Sequence, residues 1–237
     1  VDKIDCWQAC NKDQVFWKDV SEIWHIGAIS DTTETNLNQL HGFNVSYSIE
    51  LFEQAIEHGI PVKFASSASV YGMTENSINP LNYYAMSKAT VDLWIEDNMD
   101  RFKKIQSYRF FNVYGANEED KYQRGQASPV YTFSKQAKEN GVIKLFENSW
   151  EYQRDFVWVE DVIDCMLMDK SSGIYDVGTS RPTSFDDVGH MIANKYNAKV
   201  EYIPFPEKLK RKYQTNTCAK KDFIHNFKSV SEYLMGV

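Results

Sequence analysis

A doubly wound, mostly parallel α/β sheet with a smaller C-terminal lobe is predicted from three features of the sequence. Short apolar runs bounded by Gly or Pro alternate with longer segments whose apolar residues recur at helical spacing. Strands separated in this way by helices favour parallel pairing, because a parallel connection needs a long crossover. The 237 residues suffice for one sizeable domain and a small additional lobe.

The elements follow in order. Val1 to Val20 is polar and irregular. Ser21 to Ala28 reads as a buried strand running into a turn at Gly27. From Asn36 to His58, the spacing of Val45, Ile49, Phe52 and Ile56 marks a helix that Gly59 ends. Pro61 opens a strand over Val62 to Ala65. Tyr84 to Met99 is an amphipathic helix, and Ile105 to Phe110 a strand. A charged, apolar-poor loop joins Gly115 to Gly125, ahead of a helix around Val130 to Lys138. Val142 to Phe146 and Arg154 to Val159 read as short strands, Glu160 to Met168 as a helix, and Gly173 to Val177 as another strand. Thr183 or Ser184 caps a helix over Phe185 to Tyr196, whose first turn holds Asp186 and Asp187, favourable for the helix dipole. Val200 to Ile203 is a strand, and the tail is helical near Tyr233.

A net charge of -7 with no basic stripe argues against a nucleic-acid surface. The run Lys208-Leu209-Lys210-Arg211-Lys212 is either a solvated charge run or a contact to an anionic substrate. Cys6, Cys10, Cys165 and Cys218 form no paired framework and lack the partners of a zinc site. They are expected to be reduced thiols of a cytoplasmic protein. No apolar run approaches the ~20 residues of a membrane span, and neither a span nor a signal peptide is expected.

The chemistry centres on Tyr84-Ala85-Met86-Ser87-Lys88. On a helix, Tyr84 and Lys88 share one face. An ammonium near a phenol favours the phenolate, so the Tyr84 pKa is expected to fall toward the working pH. Such a tyrosine takes a proton from a sugar hydroxyl while a nicotinamide takes the hydride. The strand ending in Ala65-Ser66-Ser67 supplies a hydroxyl beside it. Tyr131 and Lys135 repeat the spacing without such a serine and are expected to be a helix surface pair.

Together, His25-Ile26-Gly27-Ala28, Ala65-Ser66-Ser67, Tyr71-Gly72, Tyr84 with Lys88, and the run from Arg109 to Gly115 resemble the extended short-chain dehydrogenases that act on nucleotide sugars. The resemblance covers nearly the whole chain. The segments Lys144 to Ser149, Arg154 to Asp161 and Tyr202 to Lys210 resemble that family's ADP-sugar 6-epimerase branch. It implies a Rossmann-like domain over 1–115 with 150–180, and a substrate lobe over 116–149 and 181–237. The family's glycine-rich phosphate loop has no counterpart in these residues. The expectation is that they are the ordered part of a longer polypeptide carrying the first βαβ unit.

The resemblance further implies bound NADP (NAD is the alternative), an ADP-sugar substrate, a homo-oligomer, and oxidation then reduction at sugar carbon 6 from opposite faces. Tyr84 is one proton-transfer group. The second is Lys121 by its count from Gly115, with Arg124 the alternative by count from Ala127; arginine makes a poor base. Lys88 assists Tyr84 and the nicotinamide ribose, and Ser67 binds the substrate oxygen. Ser66 is expected to point into the sheet or toward a strand end. Ile26, Gly27, Ala28, Ile29 and Ser30 lie along the cofactor, as do Val113 and Lys121. Asn44 matches the family's cofactor-contacting asparagine or else caps a helix start. Asn112, Thr132, Phe146, Glu147, Asn148, Ser149, Arg154 and Tyr213 are the implied substrate contacts, with Phe146 or Tyr213 stacking on a base and Arg154 pairing the diphosphate. His25 is expected to be a satisfied core histidine and Asp161 a helix cap. The rival readings are a UDP- or GDP-sugar epimerase or dehydratase, and a non-catalytic protein that kept the fold.

Overall fold

In the computed structural model, which describes residues 17–74, 77–207 and 214–236, strands alternate with helices as the apolar pattern requires. The chain divides into two units: Val1–Val70, Pro80–Arg109 and Asp169–Tyr175 form the first, and Tyr71–Asn79, Phe110–Met168 and Asp176–Val237 the second.

In the first unit, β1 (Ile23–His25) pairs in parallel with β2 (Val62–Ser67), placing Ile23 opposite Val62 and His25 opposite Phe64. With β3 (Ile105–Phe110) and β8 (Gly173–Val177) they make a four-stranded sheet in the order β1-β2-β3-β8. Between β1 and β2 the chain is helical in three pieces. Asn36 caps α1 (Leu37–Leu40), a π-helical segment (His41–Ser46) follows, and α2 (Tyr47–Glu57) completes it. Helical spacing foresaw this helix but not its π-helical middle. From β2 the chain passes to α3 (Tyr83–Asn98), capped by the Asn82 side chain on the Ala85 N–H at 2.8 Å. The core is aromatic and aliphatic: Phe52, Phe64, Val91, Ile95, Phe102 and Ile105 pack together, with Phe52 edge-on to Phe64 at 5.4 Å. Burial of each such side chain stabilises by roughly 1.5–3 kcal/mol.

The second unit is built from two-stranded pairs. β4 (Asn112–Tyr114) and β7 (Phe156–Trp158) are parallel, as are β5 (Val142–Phe146) and β10 (Lys199–Ile203). β6 (Gln153–Arg154) pairs antiparallel with β9 (Thr183–Ser184). The helices are α4 (Glu119–Gln123), α5 (Pro129–Asn140), α6 (Val159–Leu167), α7 (Phe185–Tyr196) and α8 (Val230–Met235). Ser128 caps α5, with Pro129 at its start and Gly141 left-handed at its end. Of the two candidate caps for α7, the structure selects Ser184, whose Oγ accepts from the Asp187 N–H at 2.9 Å. A Cβ at Gly189 would meet the Leu145 side chain at 2.8 Å, so the missing side chain lets α7 lie close on β5.

Three sequence expectations are corrected here. The stretch from Gly115 to Gly125 is not all loop, because Glu119–Gln123 forms α4. The single strand over Arg154 to Val159 is broken at Asp155, whose buried carboxylate collects the N–H groups of Thr179, Ser180 and Ala219. Asp161 caps no helix: it lies in the first turn of α6 and accepts from the Lys228 N–H at 2.9 Å, with His225 Nε2 2.8 Å from its other oxygen. Among the described residues, no helix is long and apolar enough to cross a membrane. Cys6, Cys10, Tyr213 and the run Lys208 to Lys212 lie outside the described residues.

Candidate active site

In the first unit, the end of β2 meets the first two turns of α3. The Ser67 hydroxyl lies beside the Tyr84 phenol, where it favours the phenolate, and accepts from the Ser69 N–H at 3.2 Å. Lys88, 3% exposed, donates from Nζ to the Ala65 carbonyl at 2.7 Å and lies 4.7 Å from the centre of the Phe64 ring. Burial holds its pKa down at about 8, with the Asp92 charge opposing that shift. Contrary to the sequence expectation, the Tyr84 phenol is raised above its ordinary value, because burial outweighs the lowering by the Ser67 hydroxyl. Ser67, not Lys88, is the partner that lowers it.

His25 is the satisfied core histidine expected. Its Nε2 lies 2.8 Å from Ser48 Oγ among the rings of Tyr47, Phe52 and Phe64. Burial first, and the Lys88 charge second, hold its pKa at about 4, so it is neutral. Ser66 points away from Ser67 and donates to Asp92 Oδ2 at 2.8 Å.

After β1, Ile26, Gly27, Ala28 and Ser30 are exposed and Ile29 is half-buried. Nothing lies within 4 Å of the position a Gly27 Cβ would take. An open, partly apolar loop edge and a buried ammonium in one unit fit the nicotinamide end of a dinucleotide. Asn44 is neither a cap nor open to solvent. Its side chain is spent on the loop, accepting from the Ile29 N–H and donating to the Ile29 carbonyl, each at 2.9 Å.

The second unit holds the other sequence-derived residues. Asn112 and Val113 are half-buried on β4, and Thr132 is half-buried on α5. Lys121 and Arg124 are exposed, at and just after α4. Glu118 fixes this segment, accepting from the N–H groups of Gly115 and Ser128 at 3.1 and 2.6 Å and from Ser128 Oγ at 2.8 Å. Phe146 packs edge-on to Phe205, and Tyr152 stacks on the same ring at 5.0 Å. Glu147 and Asn148 are exposed, while Ser149 is buried and donates to Asp186 at 2.9 Å. Arg154 is 5% exposed, bonded to the Gln153 carbonyl and set over the Phe185 ring. Tyr131 and Lys135 form the expected surface pair, both meeting Glu119.

Sequence reasoning missed Asp92, Glu118 and Asp155. Each is a buried carboxylate beside a motif residue, and an acid within a few positions of Lys88, Gly115 or Arg154 was the available signal.

Residues 4–178 match the family described as NAD dependent epimerase/dehydratase. An ADP-L-glycero-D-manno-heptose-6-epimerase of Alkalilimnicola ehrlichii is 39% identical over 220 residues, covering 84% of this chain and 67% of that protein. The crystal structure of the Helicobacter pylori enzyme of the same name superposes with a TM-score of 0.79 at 27% identity, covering 91% of this chain and 70% of that one. A Thermus thermophilus UDP-glucose 4-epimerase in complex with NAD shares the fold, with a TM-score of 0.74 at 19% identity, covering 98% and 75%. The chain belongs to the NAD dependent epimerase/dehydratase family, and it is an enzyme of the nucleotide-sugar epimerase kind, an isomerase.

Proposed function

We propose that this enzyme epimerises ADP-D-glycero-D-manno-heptose at C6, by oxidation to a transient ketone and reduction on the opposite face. The observation that carries the reading is the Tyr84 phenol set beside the Ser67 hydroxyl with Lys88 buried one helical turn away, in a chain 39% identical to an enzyme named for this reaction. Bound NADP, or NAD, supplies the two-electron exchange at C6. Ile26 to Ser30, Val113, Lys88 and Lys121 hold it, with Asn44 fixing the loop at Ile29. Residues 1–115 with 150–180 serve the cofactor, and 116–149 with 181–237 the nucleotide sugar.

As its phenolate, Tyr84 takes the C6 hydroxyl proton on one face, with Ser67 holding the substrate oxygen; binding of cofactor and substrate must therefore overcome the effect of burial on the phenol. Lys121 handles the proton on the other face, because reduction from the second side needs a donor there. Asn112, Thr132, Phe146, Glu147, Asn148, Ser149, Arg154 and Tyr213 bind the ADP-sugar. The product would serve as a heptose precursor for lipopolysaccharide, made in the cytoplasm by a homo-oligomer.

Complete protein incubated with ADP-D-glycero-D-manno-heptose should give a mixture of C6 epimers, resolved by NMR. Tyr84→Phe and Lys121→Met should each lower kcat by about 10²–10⁴-fold, the usual worth of a general acid or base. Turnover of UDP-glucose alone would overturn the reading.

A further inference from the structure

The loop 178–181 after β8 and the residues Lys220, Lys221, Phe223, His225, Asn226 and Phe227 line a cavity of about 250 Å³ in the second unit. Both linings are pinned. The buried Asp155 carboxylate accepts from the N–H groups of Thr179 and Ser180 in the loop, at 2.7 and 2.8 Å. It also accepts from the Ala219 N–H at 2.9 Å, at the head of the second segment. That segment is held again where the Lys220 N–H donates to Asp176 at 3.0 Å and the Lys228 N–H to Asp161 at 2.9 Å. Arg181 joins the two linings, its Nη2 donating to the Phe227 carbonyl at 2.7 Å. Walls fixed in this way reduce the ordering that a ligand would otherwise have to impose.

The charge of the cavity is one-sided. Arg181, Lys220 and Lys221 line it and no carboxylate does, in a chain with 33 acidic and 26 basic residues. The carboxylates close by in sequence are engaged elsewhere. Asp155, Asp161 and Asp176 take the N–H groups just named, Asp222 the Asp176 N–H at 2.7 Å, and Glu232 the Ser229 N–H at 2.7 Å. His225 also lines the cavity and meets Asp161 at 2.8 Å. Arg181, Lys220 and Lys221 are exposed, so water and small ions reach their charged ends. Cations gathered around one cavity repel one another, and a bound anion relieves that repulsion. We propose that this cavity binds the phosphate or diphosphate group of a small molecule, with Arg181, Lys220 and Lys221 pairing its oxygens. Its volume lies below the roughly 300–1,000 Å³ of sites that enclose drug-sized ligands, so it suits the anionic group and not a whole nucleotide sugar. None of its lining residues is among those given above to the cofactor or the ADP-sugar, and the assignment does not rest on the reaction.

The test is an NMR titration of the complete, isotope-labelled protein with sodium phosphate, sodium pyrophosphate and ADP in turn, against sodium chloride at equal ionic strength. The backbone amides of Arg181, Lys221 and Asn226 should shift and saturate with pyrophosphate and stay still with chloride. Saturation by ADP as well would name a nucleotide diphosphate as the source of the group, and saturation by the inorganic ions alone a free phosphate or diphosphate. Arg181→Gln should weaken pyrophosphate binding by about tenfold, the loss of one charge-assisted bond. That substitution also removes the tie to the Phe227 carbonyl and can disturb the fold. Lys220→Gln with Lys221→Gln changes only exposed side chains, and should weaken binding by about tenfold or more while the spectrum stays that of a folded protein. The proposal is overturned if no phosphate compound gives a saturating shift at these amides. It is equally overturned if chloride gives the same shifts, or if the paired lysine variant binds pyrophosphate as tightly as the parent.

Discussion

The Asn44 side chain bonds both backbone groups of one residue, accepting from the Ile29 N–H and donating to the Ile29 carbonyl at 2.9 Å each. Its second amide hydrogen reaches Ser87 Oγ at 3.0 Å, next to Lys88 on α3. The π-helical segment makes this possible, because its wider turn places Asn44 inward, at 1% exposure. The loop after β1 is thereby tied to the helix that carries Tyr84.

Replacing Asn44 by Leu should therefore free the loop. Two backbone groups lose their partners, at a cost of about 1–3 kcal/mol in stability. Hydrogen exchange at the Ile29 amide should quicken by about tenfold or more, since 1.4 kcal/mol is a factor of ten. Asn44→Asp keeps the acceptor for the N–H and should fall between the two. Unchanged Ile29 exchange in Asn44→Leu would show that the loop is held by other means.

Glu118 plays the matching part in the second unit, closing the segment between Gly115 and Ser128 with three hydrogen bonds to one carboxylate. Glu118→Gln places an amide where all three partners donate, so at least one donor is left facing N–H hydrogens. The expected loss is about 2–3 kcal/mol by urea unfolding. Proteolysis should then cut between 115 and 128 faster than elsewhere. A variant as stable and as protected as the parent would contradict the clamp.

His25 makes stability depend on acidity in a set direction. Its folded pKa of about 4 lies below the ordinary 6.5, so between those values the unfolded chain binds a proton that the folded chain does not. Stability from this residue is present above pH 6.5 and is lost as pH falls toward 4, by about 3 kcal/mol. Comparing the pH dependence of urea unfolding for the parent and His25→Gln isolates it. Parallel curves would mean that His25 titrates alike in the folded and unfolded chain.

The sequence made some of this legible and hid the rest for physical reasons. β3, β5, β8 and α7 are bounded where their apolar periodicity and caps place them. Tyr84, Lys88 and Ser67 were legible as a group because helix geometry fixes one pair and a strand end supplies the third. The direction of the Tyr84 shift was not, since burial depends on packing that no spacing encodes. Asp92, Glu118 and Asp155 read as ordinary acids in a chain with 33 Asp and Glu. Only the fold shows which carboxylates face inward. The π-helical turn at Asn44 leaves no trace in a pattern read at 3.6 residues per turn.

Lys88 should trade stability for chemistry. Its folded pKa of about 8 lies below the ordinary 10.5, so the fold disfavours its charge by about 3 kcal/mol wherever both states are protonated. Between pH 8 and 10.5 the unfolded chain keeps a proton that the folded chain releases, and stability from this residue rises. Lys88→Met removes the penalty at pH 7, while the Ala65 carbonyl loses its donor at a cost of about 1–2 kcal/mol. At pH 7 the variant should be inactive and more stable in urea by about 1–2 kcal/mol. By pH 10.5 the gain should vanish or reverse, because the parent then folds with a neutral amine. A variant less stable than the parent at pH 7 would mean that Asp92 already offsets the whole cost of burying the charge.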